Sequence, residues 1–144
     1  MSKHIPAGYH TITPYLTMSG ADRLIDFLQQ VFEATEIERM NNPEGTIKHA
    51  EVRIGDSVLM ISEAGVDFKP RPSTFYIYVG NAGAVYQRAL AAGATSLMAP
   101  TDTFYGNRES GVKDPFDNYW WIATCKEELS SEEIQKRFEA RSNS

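Results

Sequence analysis

The chain has 144 residues, 42% of them hydrophobic and 23% charged, with a formal net charge of −5. That length fits one domain or two small modules sharing a core, and the acidic balance without a Lys/Arg cluster argues against a nucleic-acid footprint. No apolar run approaches the ~20 residues that span a bilayer. The opening residues carry no apolar signal-peptide core, and the single cysteine, Cys125, cannot form an internal disulfide. The expectation is a reduced, cytoplasmic protein in which Cys125 is a small strand residue.

Residues 10–18 alternate, with Thr11, Thr13, Tyr15 and Thr17 on one side and Ile12, Pro14, Leu16 and Met18 on the other. This predicts a half-buried strand, and Pro14, which has no N–H to donate, marks an edge or bulge in it. Ser19-Gly20-Ala21-Asp22 has helix-start character, and Leu24, Phe27, Leu28 and Val31 recur at helical spacing across Ala21 to Phe32. Asn41 to Gly45 is a turn. Lys48 to Ser62 reads as a β-hairpin about Gly55-Asp56, with Gly at the first central position of a type II′ turn. That register pairs Ile54 with Ser57, Val52 with Leu59 and Glu51 with Met60. Ala50, Val52, Ile54, Leu59 and Ile61 then form a core face, and His49, Glu51, Arg53, Val58, Met60 and Ser62 form a mixed polar face.

Residues 63–72 read as a linker. A second strand follows with Phe75, Ile77 and Val79 toward the core and Thr74, Tyr76 and Tyr78 on the other side. A helix from about Ala82 to Ala92 stops at Gly93. Thr95 to Met98 is a short strand, and Pro100 to Gly111 reads as a loop rich in aromatic and polar residues. A turn over Asp114 to Asn118 precedes the strand Tyr119 to Cys125, in which Tyr119, Trp121 and Ala123 oppose Trp120 and Ile122. Ser130-Ser131-Glu132-Glu133 resembles a helix N-cap, and the helix runs from about 130 to 141.

One pattern occurs twice, about sixty residues apart. Tyr15-Leu16-Thr17-Met18, a helical stretch and Ala34-Thr35 match Tyr76-Ile77-Tyr78-Val79, a helical stretch and Ala94-Thr95. The chain therefore reads as a single α+β domain over 1–144, made of module 1 (about 9–63) and module 2 (about 73–125). Two such modules tend to enclose a cleft for a small molecule.

The βαβββ order, taken twice, resembles the vicinal-oxygen-chelate superfamily of glyoxalase I, bleomycin-resistance proteins and extradiol dioxygenases, and more closely its PhnB-like branch. The residues that carry the resemblance are Thr13-Pro14-Tyr15-Leu16, Ile25-Asp26-Phe27, His49 to Ser57, Ala92-Gly93-Ala94-Thr95, Phe104 to Arg108, and Asp114-Pro115-Phe116 with Trp120 and Ile122-Ala123-Thr124. It implies two curved, mostly antiparallel, cup-shaped sheets, the polar faces lining the cups, and a site of eight strands formed within one chain or across a homodimer. Asp117 stands where that pattern has glycine, so a locally altered turn is expected there.

The resemblance also implies where metal-dependent members hold their ion, on the first and last strands of each module. Here those positions carry Thr13, Met60, Thr74 and Trp121, which are poor ligands for a divalent ion. No metal and no cofactor is expected. His49 and Glu51 point the same way from one strand and are candidates for a general base and its orienting carboxylate, for relocated ligands, or for a purely structural hydrogen bond. The cup face is rich in rings: Tyr15, Tyr76, Tyr78, Tyr119 and Trp121, with Phe104, Tyr105 and Arg108 in the loop beside it. Rings with polar tips suit an aromatic or amphipathic ligand, and Arg53 or Arg108 suits its carboxylate or phosphate. The expected partner is a small organic molecule. The competing function is an isomerase, lyase or hydrolase-type enzyme using His49 and Glu51 without the usual metal.

Overall fold

The computed structural model describes residues 4–142. The elements in order are β1 (Tyr15–Met18), α1 (Ala21–Phe32), β2 (Thr35–Asn41), β3 (Ile47–Ile54), β4 (Ser57–Glu63), β5 (Thr74–Tyr78), α2 (Ala82–Ala91), β6 (Thr95–Asp102), β7 (Asn107–Lys113), β8 (Tyr119–Cys125) and α3 (Ser131–Ser142). They divide into two compact units, the first reaching to Ser73 and including Pro115–Asp117, the second holding Thr74–Asp114 and everything from Asn118 on. Each unit has one four-stranded mixed sheet, ordered β1-β4-β3-β2 and β5-β8-β7-β6. In each, the first strand runs parallel to the last and the other pairs are antiparallel. Both sheets are open, and the fold is α+β.

In unit 1 the apolar stripe of α1 (Leu24, Ile25, Leu28, Val31) is fully buried together with Leu16, Ala50, Val52 and Ile61. The hairpin has the expected register, with Ile54 opposite Ser57 and Glu51 opposite Met60, and Gly55 takes the positive φ of 58° that its turn requires. Two faces are less clean than alternation predicts. Ile54 is only half-buried, and Val58, on the polar side, is 4% exposed.

Helix α1 begins at Gly20, which has no side chain to cap it. The Glu63 carboxylate at the end of β4 does so instead, accepting from the Gly20 N–H (3.0 Å) and the Ala21 N–H (3.1 Å). Carboxylates at a helix N-terminus are favoured by both the free N–H groups and the helix dipole. Glu63→Ala should lower stability by about 1–3 kcal/mol in urea denaturation. In unit 2 Thr124 performs the same task at the end of β8, accepting from the Ala82 N–H at 2.9 Å.

Two sequence expectations need correction. Residues 10–14 are not strand: β1 begins at Tyr15, and Ile12 is 83% exposed. Pro14 contributes only its carbonyl to the sheet, accepting from the Met60 N–H at 2.9 Å. The stretch from Pro100 to Gly111 is not a loop; β6 continues to Asp102, and β7 covers Asn107–Lys113. Pro100 fits because the ladder skips from the Met98–Gly111 pair to the Thr101–Glu109 pair, leaving it in a bulge. At the turn before β8, Asp117, standing where the resembled pattern has glycine, adopts φ 70°, a left-handed conformation that Asp tolerates better than most residues.

Unit 2 packs Trp120, Ile122, Val112 and Ala89 into its core, and Phe75 stacks on Trp120 with centroids 4.4 Å apart. Helix α3 is capped by Ser130, whose hydroxyl accepts from the Glu133 N–H at 3.1 Å.

Candidate functional site

Each sheet carries one row of side chains across all four strands on the face away from its helix. In unit 1 the row is Tyr15, Met60, Glu51 and Glu38. In unit 2 the corresponding row is Tyr76, Trp121, Gly111 and Met98. The second strand of each unit slips register by one residue, between Glu36 and Glu38 and again between Ser96 and Met98. That bulge brings Glu38, rather than Ile37, opposite Glu51. The two faces therefore share a frame but differ in chemistry: unit 1 gathers acids, unit 2 gathers rings.

On unit 1, His49 Nε2 lies 2.8 Å from Glu51 Oε2, and Glu51 also accepts from the Tyr9 hydroxyl. The Tyr15 hydroxyl stands 3.4 Å from His49 Nδ1. Glu51 is only 8% exposed, so these partners offset the loss of its hydration. Residues of the N-terminal segment, including Ile5, Pro6 and Tyr9, come over this face. With Thr13, Glu38, Glu51 and Met60 they line an open cleft of about 480 Å³, a volume in the range of small-molecule sites. Tyr9 and Glu38 had no sequence signal: Tyr9 lies in irregular chain, and the place of Glu38 depends on the bulge. The Arg53 guanidinium lies beside Gly8.

On unit 2, Glu109 is 7% exposed and sits two residues before Gly111 on the same face. Its Oε1 accepts from the Tyr76 hydroxyl at 2.5 Å and the Tyr105 hydroxyl at 2.6 Å, while Asn107 Nδ2 donates to the Tyr76 oxygen at 2.8 Å. Tyr76 reaches Glu109 along the same diagonal by which Tyr15 reaches His49. The Trp121 ring lies against Gly111, where an added Cβ would come 2.5 Å from Cε3. Tyr78 is 64% exposed, Tyr76 44% and Tyr119 40%, and Thr74 is exposed at the start of β5. Two expected ligand contacts are engaged elsewhere in the unit. Phe104 packs on Phe138 and under the Arg141 guanidinium of α3. Arg108 pairs with Asp102 at 3.3 Å and alternates with Glu109, so it faces the opposite side.

Burial, and then the hydrogen bond to Glu109, pushes the Tyr105 phenol up to about 12. The same causes raise Tyr76 further. The Tyr76 ring is well exposed, but its hydroxyl points at a buried carboxylate, and the hydroxyl is what titrates. Both phenols are held above the free tyrosine value of 10.0. Their contribution to stability is therefore complete below pH 10 and lost as pH rises through 12 and beyond. Tyrosinate absorbance should show a late phase above the main tyrosine titration, and Tyr105→Phe should shrink it. A late phase unchanged by that variant would contradict the assignment.

A divalent ion does not fit Thr13, Met60, Thr74 and Trp121, which offer hydroxyl, thioether and indole groups. Ligand-type atoms do approach one another on β2 and β3, where Glu38, His49 and Glu51 lie within 4.8 Å of one another. Glu51 there is already bonded to Tyr9 and His49.

The two βαβββ units define a class by their fold. The profile of the Glyoxalase/Bleomycin resistance protein/Dioxygenase superfamily matches residues 9–122, and the chain belongs to this superfamily. Uncharacterized proteins of Mycobacterium bovis and Mycobacterium tuberculosis are 33% identical over 135 residues, covering 86% of this chain and 89% and 79% of theirs. Among solved structures, the PhnB protein of Bacillus cereus aligns with a TM-score of 0.67 at 17% identity, over 81% of this chain and 100% of that one. TioX from Micromonospora sp. ML1 aligns at 0.65 and 22% identity, over 79% and 98%. The genomically encoded fosfomycin resistance protein FosX of Listeria monocytogenes aligns at 0.65 and 15%, over 87% and 97%. At these identities the structural likeness speaks for the fold alone. Among the described residues no helix is long and apolar enough to cross a membrane.

Proposed function

We propose that this chain is a metal-independent small-molecule-binding protein, a cytoplasmic homodimer that holds an aromatic or amphipathic ligand against the ring-bearing face of unit 2. The observation that carries this reading is the set of large rings left exposed on that one face, Tyr76, Tyr78 and Tyr119, beside Trp121. Grouped apolar exposure of this kind marks an interaction surface. The Tyr76 hydroxyl is fixed to Glu109 and Asn107 before any ligand arrives, so little side-chain freedom is lost on binding. Trp121→Ala and Tyr76→Ala should each weaken binding of a ligand found by aromatic-fragment screening by about tenfold, since one aromatic contact contributes roughly 0.5–1.5 kcal/mol beyond its buried area. Unchanged affinity in both variants would contradict the reading.

A second reading is favoured by the 2.8 Å contact of His49 with Glu51 at the cleft of unit 1. A histidine oriented by a carboxylate is a general base in form, serving an isomerase, lyase or hydrolase-type reaction. Under it, Glu51→Gln abolishes turnover and leaves binding intact; under the first reading Glu51→Gln changes neither.

A further inference from the structure

We infer that the ligand of the unit 2 face is an organic cation, a quaternary or protonated amine on an aromatic or aliphatic body. This narrows the binding reading above and rests on it. The Tyr76 and Tyr78 rings stand 5.3 Å apart between centroids and are tilted by 59°, so they form two walls of a corner rather than a stack. In the ladder, Tyr78, Ala123 and Glu109 share one row. The small Ala123 side chain between them lets Tyr76 lean across to Glu109. The corner is thus backed by a carboxylate that is 7% exposed.

The electrostatics of that arrangement select the sign of the guest. Ring faces carry the negative side of the aromatic quadrupole and attract cations. A phenol that donates its proton to a carboxylate becomes more electron-rich, and both Tyr76 and Tyr105 donate to the same Glu109 oxygen. An anion over these faces would meet a buried carboxylate in surroundings of low dielectric. The backbone of Lys113, which shares this face, is four residues along β7 from that of Glu109, roughly 13 Å at strand spacing. A hard metal ion is the wrong guest, because it is held by several carboxylate or carbonyl oxygens, whereas the Glu109 Oε1 here already accepts from two protonated phenols. Among the described residues, the group of three His, Cys, Asp or Glu side chains close enough to share an ion lies on β2 and β3 instead. The net charge of −5 favours encounter with a cation as well.

The test uses the full chain and two probes of one shape, (4-hydroxyphenyl)trimethylammonium and 4-tert-butylphenol, titrated by calorimetry and by tryptophan fluorescence. The charged probe is expected to bind about tenfold more tightly. That preference should fall away in Glu109→Gln, which keeps a hydrogen-bond acceptor, and in Tyr78→Leu, whose side chain is exposed and whose loss is expected to leave the circular dichroism spectrum unchanged. Equal affinity for both probes would overturn the cation proposal and leave the aromatic-ligand reading standing. Binding of neither would overturn both. A preference that survives both variants would place the cation elsewhere and overturn the proposal.

Discussion

Asp114→Ala is expected to destabilise unit 2 by about 3–5 kcal/mol, the range for removing one partner from a buried charged network. Asp114 is 2% exposed, and Asn118, which it holds, is fully buried. One carboxylate oxygen accepts from the Asn118 N–H at 3.0 Å, and the other accepts from Asn118 Nδ2 and Trp120 Nε1, each at 2.9 Å. Alanine would remove the carboxylate that accepts from three buried donors at once. Asp114→Asn keeps the shape but loses the charge and one acceptor, so it should fall between alanine and the parent. Guanidinium denaturation followed by tryptophan fluorescence measures both. A loss below about 1 kcal/mol for alanine would mean that water or another group replaces the carboxylate.

Gly111→Ala carries the second large effect, and it links packing to the binding face. An added Cβ would fall against Cζ3 and Cε3 of Trp121. The obstacle is a rigid ring rather than the tip of a flexible chain, so the ring must leave its place. The expected cost is about 1–3 kcal/mol, typical of an overfilled site. Ligand affinity of the unit 2 face should fall with it, as in Trp121→Ala. Gly65→Ala is the control: nothing lies within 4 Å of its added Cβ, and its effect should stay within about 0.5 kcal/mol. If Gly111→Ala left both stability and affinity unchanged, Trp121 would not be held by close approach to the backbone of β7.

Much of this was legible in the chain, for identifiable reasons. The β3–β4 hairpin could be registered residue by residue because Gly55-Asp56 admits few turns and each slip would turn the core face outward. The faces of β5 and β8 follow from the two-residue period of a strand, and Trp120 and Ile122 are buried as it requires, although Ala123 is buried on the other face. What was not legible depends on contacts between distant segments. Glu38 meets Glu51 only because β2 skips a residue, and a bulge has no strong signature in Glu36-Ile37-Glu38. The β6–β7 pair hid behind Pro100 and Gly106, residues that read as loop but here occupy a bulge and a tight turn in which Gly106 has φ 96°. Glu109 lies within that stretch and has no local signal of its own, although it receives both tyrosine hydroxyls. Tyr9 is joined to Glu51 across 42 residues of sequence, a pairing no local pattern announces.

The most direct test of the central claim is to measure metal content and ligand affinity on one tag-free sample, before and after dialysis against a weak chelator. Metal-independent binding predicts that any ion present is far below one per chain and that affinity for the aromatic ligand is the same after dialysis. Near-stoichiometric zinc, nickel, manganese or iron, with binding lost on its removal, would contradict the account and transfer the site to Glu38, His49 and Glu51.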